Sequence, residues 1–209
     1  YGQKDRQYAM IGEYFLSNCL RSDVESSPWS HQIINNTLPE EEFNQLRNAC
    51  ESLDVPKDKL VALYPKDFKD HNISFYKQIE EISKNILNNA KALCEKYPAH
   101  RWFNDLAVNA HISITPPLPY KFYIHQEGLE KIWSSVTYIT PEENVGTKMY
   151  TAQKEDTFVK EAKWKPNSTF IFCGQQGKTW HSYESDQTSQ RITLNFFLMK
   201  ENKHCFYKG

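Results

Sequence analysis

No stretch of the 209-residue sequence approaches the ~18 consecutive apolar residues that a membrane-spanning helix needs, and no charged-then-apolar leader opens it. Neither sign of charge dominates: 25 Lys and Arg stand against 26 Asp and Glu, a formal net charge of −1. That balance argues against a broad cationic surface for nucleic acid or an anionic membrane, although a local basic groove stays compatible with it. The cysteines Cys19, Cys50, Cys94, Cys173 and Cys205 are odd in number, far apart and without a CxxC pair. A disulfide framework or zinc knuckle is therefore not indicated, and reduced, mostly buried thiols in a cytoplasmic protein are expected. Internal repeats, low-complexity tracts and interdomain linkers are missing as well, so residues 1–209 are expected to form one domain. Gly174-Gln175-Gln176-Gly177 lacks the pattern of a phosphate-binding loop and reads as a turn.

Aromatic residues are plentiful at 14 % of the sequence, enough for a packed core despite the polar average. Tyr8, Ile11, Phe15 and Cys19 recur at steps of three and four, which predicts a helix over about 5–20. A polar stretch over 21–28 breaks it, and residues 29–34 read as a short strand. Leu38-Pro39-Glu40-Glu41-Glu42 is a helix start, since proline suits the first turn and acids suit the positive end of the dipole. That helix continues through Phe43, Leu46, Cys50 and Leu53, and a longer one is predicted over 74–97, ended by Pro98. Beyond Pro98 the period changes to alternation, first in Val108, Ala110, Ile112 and Ile114. Strand-like runs follow at about 120–127, 132–140, 146–151, 156–160, 168–173, 179–183 and 190–199. The pattern predicts a mainly β (α+β) protein, with a barrel or sandwich over 108–200 and a helical support region over 1–107 packed outside it.

Three points in the β half carry chemistry. On a strand, His125 and Glu127 point the same way and Gln126 opposite, which converges an imidazole and a carboxylate. His181 supplies a second imidazole, completing two histidines and a carboxylate. Such a facial triad leaves coordination positions open, as non-haem Fe(II) oxygenases require. Farther on, Arg191 offers a guanidinium able to hold a carboxylate bidentately, and Thr193 shares its face. The remaining histidines, His31, His71, His100, His111 and His204, have no partner at ligand spacing and read as surface or satisfied side chains. Lys131 is able to reach an anion but reads first as a solvated charge at a strand start, Trp180 reads as wall or core before a lining of the substrate cleft, and Tyr120 and Tyr123 read as packing near His125 before substrate contacts.

With these motifs the sequence resembles the Fe(II)- and 2-oxoglutarate-dependent oxygenases, in the prolyl-hydroxylase-like branch with its small bacterial and phage members. The resemblance covers about 29–199: segment 28–39 with Pro28-Trp29 and Leu38-Pro39, the His125-x-Glu127 pair, Ser135-Val136-Thr137-Tyr138-Ile139, Gly146-Thr147, and His181 followed by Arg191-x-Thr193. It implies a double-stranded β-helix, a jelly-roll or cupin-like barrel buttressed by helices. It also implies that His125, Glu127 and His181 ligate Fe(II), that Arg191 pairs with the distal carboxylate of 2-oxoglutarate, and that Thr193 and Tyr138 assist. Fe(II), 2-oxoglutarate and O₂ would then hydroxylate a peptidyl proline or lysine or a small molecule, with release of succinate and CO₂. The family usually carries Asp where this chain has Glu127. Two other functions compete: a cupin-like metal-binding isomerase or lyase, and a non-catalytic β-sandwich binding module. An arginine placed after the last ligand distinguishes the oxygenase, because the cupin-like group has no general need of one.

Overall fold

Alternation after Pro98 becomes strands in the computed structural model, which describes residues 3–69, 72–98 and 100–208. His71 therefore lies outside the described residues. The first half folds as α1 (Gln3–Arg21), β1 (His31–Asn35), α2 (Glu40–Glu51), β2 (Val61–Leu63), α3 (Pro65–Phe68), α4 (Ile73–Asn88) and α5 (Ala90–Glu95). The second half gives β3 (Leu106–Thr115), β4 (Lys121–His125), β5 (Lys131–Thr140), β6 (Thr147–Tyr150) and β7 (Phe158–Ala162). It continues with β8 (Ser168–Phe172), β9 (Trp180–Glu184), β10 (Arg191–Lys200) and β11 (Tyr207–Lys208).

Two antiparallel sheets form the double-stranded β-helix. The larger runs β1-β8-β5-β10-β3-β11, with β2 also on β3, and the smaller runs β4-β9-β6-β7. Strands β1 and β2, from the half expected to be helical support, thus belong to the larger sheet. The helix expected over 74–97 divides at Asn89, which has left helical geometry (φ −116°, ψ 19°) and whose side-chain amide bonds the Asn85 carbonyl at 2.9 Å. An asparagine amide offers the backbone such an alternative to the helical ladder.

Period-2 alternation on β10 decides what each face of the larger sheet does. Ile192, Leu194, Phe196 and Leu198 join the main core with Ile112 and Ile114 of β3, Phe15 of α1 and Ile79, Ile82 and Ile86 of α4. Burying a large aliphatic or aromatic side chain contributes about 1.5–3 kcal/mol each, so this face anchors the helices. The other face turns toward the smaller sheet, where Trp29, Tyr138, Met149, Ala162, Trp164, Phe170 and Phe172 make a second cluster. Trp29 fixes the junction by donating its indole N–H to the Tyr150 carbonyl at 3.2 Å. Arg191, Thr193 and Asn195 lie on this inner face and are buried. Buried polar side chains are costly unless partnered, so a polar row inside a barrel marks a site and not a core.

Candidate active site

A cavity of about 240 Å³ opens between the sheets, lined by both imidazoles and Glu127 toward one end and by Arg191 toward the other. His125 and His181 face each other across the β4–β9 ladder, with ring centroids 4.2 Å apart. A bulge between Phe122 and His125 puts those two side chains on one face, their rings 4.6 Å apart. Each imidazole holds a backbone carbonyl through Nδ1, His125 that of Tyr123 at 3.0 Å and His181 that of Thr179 at 2.9 Å. That leaves Nε2 of each ring as the nitrogen for a metal, the arrangement in which metal-binding histidines are oriented by a partner on their other nitrogen. Burial lowers both pKa values, that of His181 to about 4 with His125 adding to the effect, so both rings are neutral near pH 7.

Glu127 reaches the site by another route than the sequence pattern expects. Strand β4 ends at His125, so Glu127 does not share its face through alternation but sits on the following loop. The β8–β9 turn holds that loop: Gln126 accepts from Gly177 N at 2.6 Å, and Gln176 donates to the Glu127 carbonyl at 3.1 Å. Gly177 adopts φ +75°, a left-handed conformation that glycine takes without cost. The Glu127 carboxylate accepts from Lys131 Nζ at 2.9 Å through Oε2 and from Ser134 at 3.3 Å through Oε1. Its Oε1 stands 3.9 Å from His181 Nε2. Burial pushes the Glu127 carboxyl up, but Lys131 and the histidines prevail and hold it below the usual range. Among the described residues no three His, Cys, Asp or Glu stand close enough to enclose a metal as they are, and the Glu127 carboxylate is paired with Lys131 through Oε2. The donor set still fits Fe(II): two neutral imidazoles with a free Nε2, and a carboxylate oxygen 3.9 Å from one of them.

At the opposite end Arg191 is 2 % exposed. Its Nε donates to the Val145 carbonyl at 3.1 Å, while Nη2 is buried with no partner. Three rings surround the guanidinium carbon, Tyr183 at 4.8 Å, Trp164 at 5.0 Å and Tyr138 at 5.6 Å. Among the described residues no carboxylate forms an ion pair with it. A buried, unpaired guanidinium facing a cavity fits a small-molecule carboxylate. Thr193 also lines the cavity, paired across the ladder with Ser113 of β3. Tyr138 does not line it: its hydroxyl bonds Thr147 Oγ1 at 2.9 Å, accepts from Thr147 N at 3.0 Å, and lies 3.1 Å from the Ala162 carbonyl. Its ring stacks on Trp164 at 4.6 Å, behind Arg191.

Other side chains at the cavity escaped the sequence reading. Tyr183 stands two residues after His181 and bears on Arg191, and β-alternation from His181 was the signal for it. Asn195 and His111 are cross-strand partners on β10 and β3, and their side chains bond at 3.2 Å. Asn195 Oδ1 is buried without a partner, and burial, then Lys131, lowers the His111 pKa to about 4. The ring of His111 lies between Tyr64 at 5.6 Å and Phe197 at 5.4 Å, and Lys131 Nζ rests 3.9 Å from the Phe197 ring centroid. Lys131 is thus a cavity residue, not a solvated charge. Tyr123 is 66 % exposed at the rim, stacked on Phe122.

A scan of family models and a search of curated proteins find no match to the chain. Solved structures do match. A prolyl hydroxylase from Trichoplax adhaerens, in complex with a hypoxia inducible factor peptide fragment, aligns over 97 % of this chain and 93 % of its own (TM-score 0.55, 12 % identity). The viral collagen prolyl hydroxylase of Paramecium Bursaria Chlorella virus-1, in its 2-oxoglutarate complex, aligns over 82 % and 96 % (TM-score 0.54, 12 % identity). The α-ketoglutarate-dependent epimerase SnoN of nogalamycin biosynthesis aligns over 90 % and 80 % (TM-score 0.53, 8 % identity). The chain therefore has the prolyl-hydroxylase-like fold of the Fe(II)/2-oxoglutarate oxygenases. No described helix is long and apolar enough to cross a membrane.

Proposed function

We propose that the protein is an Fe(II)- and 2-oxoglutarate-dependent oxygenase that hydroxylates a peptide or small-molecule substrate, releasing succinate and CO₂. One observation carries this reading: Arg191, buried among three rings with Nη2 unpartnered, at the far end of the cavity that holds the histidine pair. A cupin-like isomerase or lyase has no general need of that cation. His125, Glu127 and His181 would hold the metal, and Arg191 with Thr193 would receive the distal carboxylate of 2-oxoglutarate. Bound together, metal and cosubstrate supply O₂ activation coupled to decarboxylation of 2-oxoglutarate.

The chain's own contribution is orientation and exclusion of water. Carbonyls of Tyr123 and Thr179 fix the imidazole tautomers, so that each Nδ1 carries the proton. Phe172 packs against His181 with centroids 4.9 Å apart and keeps that side of the site dry. Tyr138 steadies Thr147, which lines the cavity, and so acts behind the anion site rather than in it. Substrate would approach along Tyr64, His111 and Phe197, where Asn195 Oδ1 offers a free acceptor. The peptide bound by the Trichoplax protein supports a peptide as one substrate class to test.

The experiment is to incubate the Fe(II)-loaded protein in air with 2-oxoglutarate and pools of peptides and metabolites. Mass spectrometry then follows succinate, gain of one oxygen, and isomers of unchanged mass. Iron-dependent succinate formation that falls in Arg191→Ala supports the proposal. No succinate above the variant with any pool contradicts it.

A further inference from the structure

We propose that Lys131 is a positioning residue for Glu127, holding Oε2 so that Oε1 alone is turned toward His181. This inference rests on the metal-site reading above and concerns the glutamate that stands at the carboxylate position in this chain.

Glutamate has one more rotatable bond than aspartate, and here its backbone stands on a loop beyond the end of β4. A carboxylate on such a tether loses more rotamer freedom when it is fixed, so it needs contacts to set its direction. Three contacts do so: Lys131 on Oε2 at 2.9 Å, Ser134 on Oε1 at 3.3 Å, and Gln176 on the backbone carbonyl at 3.1 Å. The two oxygens therefore have different surroundings. Oε2 takes the ammonium, while Oε1 faces His181 Nε2 at 3.9 Å. One carboxylate accepts at both oxygens at once, so a metal on Oε1 and a lysine on Oε2 are compatible.

Lys131 is itself anchored independently of Glu127. It is the first residue of β5, its N–H bonds the Gly128 carbonyl at 3.1 Å, and its carbonyl accepts from Arg101 Nη2 at 3.0 Å. Its ammonium lies 3.9 Å from the centre of the Phe197 ring, within the range of a cation–π contact. The position of Nζ is thus set by β5 and β10, and the carboxylate is drawn to it. Ser134 shares β5 with Lys131, so the same strand directs both carboxylate oxygens.

A second effect opposes the first. An ammonium beside a divalent cation repels it, so a Lys131 acting only as a competing occupant would weaken metal binding. The two roles predict opposite signs for one substitution. Outer partners of metal ligands typically matter by about 10–100-fold in metal affinity.

The test measures Mn(II) affinity from the electron paramagnetic resonance signal of free Mn(II). It uses wild type, Lys131→Met, Lys131→Arg, Glu127→Gln and the Glu127→Gln/Lys131→Met double variant, with circular dichroism as the check on folding. Positioning predicts about 10–100-fold weaker binding in Lys131→Met. It predicts recovery of most of that loss in Lys131→Arg, and no further loss on adding Lys131→Met to Glu127→Gln. Should Lys131→Met fail to fold, Lys131→Gln, which keeps an amide donor but no charge, must still bind more weakly than Lys131→Arg. Equal or tighter Mn(II) binding in Lys131→Met would overturn the proposal and make Lys131 a competitor. A wild type that binds no Mn(II) would overturn the metal-site reading along with it, and so separates the two failures.

Discussion

The two ends of the cavity secure their charged groups by opposite means. Arg191 stands at the head of the ten-residue strand β10, wedged among three rings, with a buried donor left unpartnered. Glu127 hangs on a loop, and Lys131 and Ser134 satisfy its oxygens. One end is rigid and incomplete, the other tethered and provisionally complete. An unpaired buried cation is costly to fold around, so the Arg191 end is poised for an anion from outside. Where the protein supplies its own partner, as Lys131 does on Oε2, an incoming metal meets a carboxylate that is already engaged at one oxygen.

Removing an imidazole tests the tethered end most severely, because no neighbour replaces a ligand nitrogen. His125→Ala and His181→Ala are expected to abolish measurable Mn(II) and Fe(II) retention while the far-UV circular dichroism stays that of wild type. Wild-type affinity in either variant would remove that residue from the site. The rigid end is broken by Arg191→Ala, which leaves a bound carboxylate without its partner at a cost of about 3–5 kcal/mol. Calorimetry should then show 2-oxoglutarate affinity lower by roughly two to three orders of magnitude, with Mn(II) affinity barely changed. Arg191→Lys should recover only part, since a point charge replaces a planar fork.

A third prediction concerns the wall between the ends. His111 is half-buried and neutral, with its pKa lowered to about 4 from an ordinary 6.5, first by desolvation and then by Lys131. The unfolded chain takes up that proton near 6.5 and the folded one only near 4. The stabilisation is therefore complete above the higher value and lost as pH falls between the two. At ~1.4 kcal/mol per unit it amounts to about 3 kcal/mol. Urea unfolding of the metal-free protein at pH 7 and 4.5 should show a smaller acid loss in His111→Gln than in wild type. His181 shifts in the same direction and supplies part of what remains. The smallest effect on ligand binding is expected from Tyr138→Phe. It strands the Thr147 N–H, at about 1–3 kcal/mol of stability, and should leave 2-oxoglutarate affinity within a few-fold. A loss of tenfold or more would mean that the hydroxyl reaches the ligand after all.

What was legible in the sequence followed the strands. Period 2 placed Arg191 and Thr193 on one face, and the structure lines the cavity with both. The same rule, carried two and four residues further, reaches Asn195 and Phe197, which also line it. His111 is the satisfied side chain that its lack of a ligand-spaced partner suggests, although the residue that satisfies it, Asn195, lies far along the chain and meets it only through the β3–β10 register. Glu127 lines the cavity, but not by the strand alternation read from the sequence, since β4 stops before it and the Gln126–Gln176 contacts bring the loop in. Lys131 was misread because a charge at a strand start gives no sign that a carboxylate and a ring wait for it. Tyr138 pairs with Thr193 across the β5–β10 ladder, yet Thr147 of the opposite sheet captures its hydroxyl, a contact between sheets that no local pattern encodes. Strand β1 falls within a residue or two of the strand read over 29–34, whereas the three residues of β2 show too few alternations to stand out among the helices around them.

Whether the two ends form one site is tested most directly by titrating 2-oxoglutarate into the wild-type protein with and without saturating Mn(II). If the cosubstrate spans from Arg191 to a metal on the histidine pair, Mn(II) must tighten its binding, and by reciprocity 2-oxoglutarate must tighten that of Mn(II) by the same factor. The account predicts measurable 2-oxoglutarate binding through Arg191 in both cases and clearly stronger binding with the metal. Equal affinity in its presence and absence would contradict it, leaving a histidine pair and an anion site that share a cavity but not a ligand.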